Sequence, residues 1–110
     1  MAPEALPALL EQIDELLAEP PTEEPATLAH LERTLTDGYA YALALEAERW
    51  RLERRISELA GELTDGNQEL KAKELAQVSS RLMSNVSMLT SLRGTLSQLR
   101  ARATEIRSMG

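Results

Sequence analysis

Chemistry in this 110-residue chain would have to begin at one histidine and a few groups of carboxylates. There is no cysteine, which excludes disulfides, thiol nucleophiles and thiolate zinc sites. A di-metal helical bundle needs paired Glu-x-x-His units aimed inward. The lone His30 is preceded at three residues by Thr27, so that pattern is absent. Glu46, Glu48, Glu53 and Glu58 alternate with Arg49, Arg51, Arg54 and Arg55, the spacing of a solvated, ion-paired helix face. Glu62, Asp65 and Glu69 surround a Gly-Asn turn, diluted by Lys71 and Lys73. Asn85-Val86-Ser87 fits the glycosylation pattern but falls mid-helix on a seam position. No catalytic, cofactor or metal set emerges and no small-molecule substrate is evident. The expectation is a non-enzymatic protein.

Three stretches carry resemblances to known families. His30-Leu31-Glu32-Arg33-Thr34-Leu35 resembles the phospho-acceptor box of sensor histidine kinases, itself set on a dimerising helical hairpin. It departs by exchanging Leu and Glu and by lacking the proline, and the 110 residues hold no ATP-binding domain. Histidine-phosphotransfer domains use His-x-x-Lys-Gly, where Arg33 and Thr34 stand in the last two places here. The acidic turn resembles the coiled-coil tip that transcript-cleavage factors insert into RNA polymerase to help hold a metal ion. The 110 residues hold no second domain for docking on polymerase. Size, acidity and helix-turn-helix shape resemble the small secreted substrates of mycobacterial-type export systems. Their Trp-x-Gly turn is missing, because the turn reads Thr64-Asp65-Gly66-Asn67. These resemblances imply an acidic-tip regulator or a phosphotransfer module as further alternatives.

The elements that would position any site are helical. Leu, Ala, Glu and Arg dominate, and no proline follows Pro25. Length allows one domain. The net charge of −6 disfavours nucleic acid, whose phosphates need a basic surface. The chain starts Met1-Ala2-Pro3-Glu4 without a basic residue before Arg33 and lacks a membrane-length apolar run, so a soluble, cytoplasmic protein is expected. Arginine outnumbers lysine, as in proteins from GC-rich, bacterial-type genomes.

Leu6, Leu9, Leu10, Ile13, Leu16 and Leu17 form an amphipathic stripe, which predicts a first helix over about residues 3–18. Pro20 and Pro21 end it, giving a linker over about residues 19–26. Thr22, or alternatively Thr27, is a plausible cap for a second helix over about residues 22–64. Its seam, Leu28, Leu31, Leu35, Gly38, Ala42, Leu45, Arg49, Leu52, Ile56, Leu59 and Leu63, follows an unbroken heptad with a at Leu28 and d at Leu31. The phase runs through Gly38 unchanged, which predicts a continuous or mildly kinked helix there despite Leu35-Thr36-Asp37-Gly38 matching Leu63-Thr64-Asp65-Gly66. At the second copy the phase resets, placing the hairpin turn at about residues 65–67. A third helix over about residues 68–108 carries Leu75, Val78, Leu82, Asn85, Leu89, Leu92, Leu96, Leu99, Ala103 and Ile106.

The fold expected is therefore all-α, a long antiparallel coiled-coil hairpin with a short helix near its open end, dimerising into a bundle. Setting Leu59 opposite Leu75 puts Gly38 against Leu96 and Arg49 against Asn85, a core polar pair able to fix alignment. The first helix should fold back along the second, its acids Glu4, Glu11 and Glu15 facing the stripe Arg93, Arg100 and Arg107. His30, at position c, should be an ordinary surface residue. Leu82 to Leu92 contains no charge, and Leu43 and Trp50 lie off the seam on the second helix. An interface is expected at Leu43, Trp50, Met83, Val86, Ser87 and Met88, most simply in a homodimer, with a heterologous protein helix as the alternative, as for an adaptor or export chaperone.

Overall fold

The structure, a computed structural model, describes residues 5–20, 22 and 24–109. Among them are three helices and no strand: α1 (Ala5–Ala18), α2 (Pro25–Glu62) and α3 (Gln68–Met109). The expected helical start at Pro3, together with Glu4, lies outside the described residues. The start of α2 is later than Thr22. The Thr22 hydroxyl accepts a hydrogen bond from the Glu24 N–H at 3.3 Å, ahead of the helix. The Glu24 carbonyl then receives the N–H groups of Thr27 and Leu28 at 3.1 and 3.3 Å. Pro25 is thus the first helical residue, where a missing N–H costs nothing.

The turn between α2 and α3 uses two left-handed residues, Gly66 (φ 94°) and Asn67 (φ 52°). Glycine has no Cβ to clash there, and asparagine is among the few side chains that tolerate it. Asp65 N–H closes on the Glu62 carbonyl at 3.0 Å, and the Asn67 carbonyl accepts the Lys71 N–H at 3.1 Å to begin α3. Lys71 Nζ also donates to the Glu62 carbonyl at 3.0 Å, satisfying part of the frayed end of α2.

Helix α2 passes through Gly38 without a break. The close approach of Leu96 explains the glycine: a Cβ added there would overlap Leu96 Cδ2 and lie 3.3 Å from Cγ. That contact follows the expected register, in which partner numbers across the seam share a constant sum.

The chain divides into two compact units, one of Met1–Ala44 with Thr90–Gly110 and one of Leu45–Leu89. The first is a three-helix core. Leu6, Leu9, Ile13 and Leu16 of α1 are buried with Leu31, Leu35 and Ala42 of α2 and Leu92, Leu96, Leu99, Ala103 and Ile106 of α3. Thr34 and Tyr41 are buried as well, although neither is on the a/d seam. Both occupy position g, so α1 covers the g flank of α2. Thr34 meets the cost of burying its hydroxyl by donating to the His30 carbonyl at 3.0 Å.

The same flank choice separates α1 from the stripe Arg93, Arg100 and Arg107, whose position e is on the other side. Arg107 instead bonds Glu32 of α2 at 3.1 Å, an e-to-e contact. The arginine that meets α1 is Arg102, at position g. Its guanidinium donates to the carbonyls of Leu17, at 3.3 Å, and Glu19. Those carbonyls lie where the helix leaves its own acceptors unpaired and its dipole is negative.

The second unit is a plain two-helix hairpin. Leu45 is beside Asn85 and Arg55 beside Glu74, so numbers rise on one helix as they fall on the other. Leu45, Leu59, Val78 and Leu89 are buried, whereas the seam residues Leu52, Ile56, Leu75 and Leu82 are half-buried. Two helices alone do not cover the seam that three cover in the first unit.

Candidate interaction surface

His30 is half-buried rather than an ordinary surface residue, because α1 reaches over the g flank. The Gln12 side-chain N–H donates to His30 Nε2 at 3.2 Å, which leaves the ring proton on Nδ1. A phosphoryl group on Nε2 would have to displace Gln12. Among the described residues no three His, Cys, Asp or Glu side chains gather as metal ligands would, and no helix is long and apolar enough to cross a membrane. Around the turn, Glu62 has basic neighbours: Lys71 on its carbonyl and Arg55 at 3.9 Å from its carboxylate.

In the second unit the two flanks of the seam differ in chemistry. One flank is set by the g positions. Arg55 and Glu74 meet there, with Nε and a terminal nitrogen 3.0 and 2.9 Å from the same carboxylate oxygen. Glu58 adds a further bond at 3.2 Å. The Glu74 bond, then the Glu58 bond, hold the Arg55 guanidinium above its ordinary pKa, against a smaller lowering by desolvation.

On the same flank an open groove of about 290 Å³ is lined by Glu48, Ser80, Arg81, Ser84, Asn85 and Met88. Glu48 and Arg81 hold g positions equivalent to those of Arg55 and Glu74. Unlike that pair, they make no ion pair within 4.0 Å among the described residues.

The opposite flank, that of the e positions, carries Trp50, Met83 and Val86, which are 67, 74 and 41% exposed. The helical period explains the grouping, since residues one step beyond the seam positions Arg49, Leu82 and Asn85 turn to the same side. Ser87 is exposed at position f, further round the helix. Met88, 40% exposed, belongs to the groove on the g flank, so it does not share a face with Val86. Leu43 is exposed at position b but belongs to the other unit. Tyr39 and Leu70 are exposed large side chains that seam reasoning passed over, because neither is a seam residue nor within the charge-free stretch.

Asn85 is 2% exposed, and its Nδ2 donates to the Leu45 carbonyl at 3.0 Å. Its Oδ1 is buried without a partner. Arg49 stays half-exposed, with Nε 3.1 Å from Glu53 Oε1. The opposite charges are in contact, yet the same Nε is buried and lacks a hydrogen bond of good geometry. We read it as a charge contact with misaligned N–H, since hydrogen bonds weaken steeply as they bend. The layer therefore holds one orphaned acceptor and one poorly satisfied donor.

No known protein family, curated protein or solved structure matches this chain.

Proposed function

We propose that this chain is a non-enzymatic helical interaction protein that self-associates through its hairpin, most simply as a twofold dimer making a four-helix bundle. The observation that carries the reading is the exposed apolar group Trp50, Met83 and Val86 on one flank of the second unit. Solvated helix faces carry Glu, Lys or Arg, and an exposed apolar group rimmed by polar residues marks a contact surface. Arg93, Arg100 and Arg107 recur every seven residues at position e, and Val86 is the next step of that stripe. Valine there removes the charge that would keep a second apolar surface away.

Three such side chains from each copy, at about 1–2 kcal/mol apiece, are of the order of the roughly 4–15 kcal/mol lost on association. At the favourable end, roughly 12 against 4 kcal/mol, about 8 kcal/mol remains, so a dimer held by these side chains alone is no tighter than micromolar. Sedimentation velocity over rising concentration tests it, with Trp50 emission read in parallel. The expected result is a concentration-dependent association accompanied by a blue shift of the emission, and the loss of that blue shift in Val86→Glu. A wild-type chain that stays monomeric at high micromolar concentration would remove self-association. It would leave the adaptor or chaperone reading, in which the same flank holds a helix of another protein.

A further inference from the structure

We infer that the groove over Asn85 is a second twofold contact between copies of this chain, distinct from the Trp50 flank and selected by charge. Glu48 on α2 and Arg81 on α3 both line it from g positions, yet among the described residues neither makes an ion pair within 4.0 Å. One heptad toward the turn, Arg55 and Glu74 occupy the same kind of positions and are joined at 2.9 Å. The open slot is therefore not a general property of this flank. A twofold axis through its centre sets Glu48 of one copy on Arg81 of the other, and the reverse, so the patch is complementary to itself.

The side chains between the two charges suit close approach. Ser80 and Ser84 keep the walls low, and Met88, 40% exposed, is an adaptable apolar contact beside them. In the first unit a helix already lies on the g flank. There α1 buries Leu9, Ile13 and Leu16, and the g residues Thr34 and Tyr41 are buried with them. A third helix on this flank is thus a packing mode the chain uses. In the second unit a helix of another copy takes that role. Contacts on opposite flanks mean that association does not stop at two chains: a closed tetramer or an open row follows, according to the crossing angle.

The test starts from Val86→Arg, which silences the Trp50 flank and keeps the groove. Sedimentation equilibrium at low salt should still find it associating, more weakly as salt rises. Adding Glu48→Arg, or separately Arg81→Glu, should weaken that association at least about tenfold, because like charges then meet across the axis. Mixing the two charge variants in equal amounts should restore it as a heterodimer, a recovery that a folding defect would not show. Unchanged thermal melts of these exposed-site variants provide the control. A Val86→Arg chain that is monomeric at high micromolar concentration, or a mixture that fails to recover, overturns the inference. If Val86→Arg associates as the wild type does, the Trp50 reading fails while the charge-swap result still decides the groove.

Discussion

Glycine to alanine in a helix interior should stabilise this chain at Gly94 and bring no gain, or a loss, at Gly38. The backbone term is the same at both positions, a gain of about 1 kcal/mol from the lost freedom of the unfolded chain and better helix propensity. The surroundings differ. Nothing lies within 4 Å of a Cβ added at Gly94. At Gly38 the new methyl overlaps Leu96 Cδ2 and stands 3.3 and 3.4 Å from Leu96 Cγ and Cδ1. Leu96 is 1% exposed, so its side chain cannot swing into solvent and must push on the core. Overpacking of this kind costs about 1–3 kcal/mol, which cancels or exceeds the gain.

The expected result is a rise in Tm of about 4–8 °C for Gly94→Ala, and for Gly38→Ala a Tm between no change and a fall of about twice that. Thermal and urea melts followed by circular dichroism measure both. Combining Gly38→Ala with Leu96→Ala supplies the decisive comparison. The methyl then fills part of the space Leu96 vacates, so the double variant should lose at least about 1 kcal/mol less than the two single losses together. Additive losses, or a Gly38→Ala chain as stabilised as Gly94→Ala, would refute the assignment of that glycine to helix packing.

Other outcomes follow from contacts already described. Arg102→Ala should lower stability by about 1 kcal/mol by leaving the Leu17 and Glu19 carbonyls without their donors, and hydrogen exchange should rise first in α1. Asn85→Leu removes an orphaned buried acceptor and should raise Tm, while sedimentation shows a less uniform assembly because the polar layer no longer rewards one alignment. Deleting residues 1–19 should lower Tm, since it uncovers Thr34 and Tyr41; an unchanged melt would mean α1 adds nothing in this chain. The pKa of Arg55 is raised, so its ion pairs contribute fully below the ordinary arginine value and are lost only as pH climbs through the higher folded one. A melt repeated from neutral to mildly alkaline pH should therefore show no loss from this group.

The seam was legible in the sequence because one alignment of a and d residues satisfies it along both long helices. The same alignment placed Gly38 against Leu96, and the glycine in an unbroken phase announced the close contact. The flank chosen by α1 was not legible. Its apolar stripe fits either side of the hairpin, and the arginines at position e offered a plausible attraction on the wrong one. What decides the side is the pairing of two buried g residues, Thr34 and Tyr41, with the reach of Arg102 to the end of α1; none of these announces itself by hydrophobic period. Met83 and Val86 were legible as an absence of charge, and Trp50 as a large apolar residue off the seam. Met88 was misplaced beside it because a run in sequence was read as a face, whereas a helix turns consecutive residues to different sides.

The two units also differ in how they can form as the chain is synthesised. Leu45–Leu89 is one continuous stretch, so its hairpin can close as soon as that stretch is free. The other unit joins Met1–Ala44 to Thr90–Gly110. Helix α1 emerges well before Leu99, Ala103 and Ile106, which share its core, and before Arg102, which grips its end. Until then Leu6, Leu9, Ile13 and Leu16 have an incomplete site, and a helix of this length is marginal by itself. Between the synthesis of α1 and that of α3 the nascent chain therefore carries an unsheltered leucine-rich segment, and this is the interval in which a holding factor would act on it.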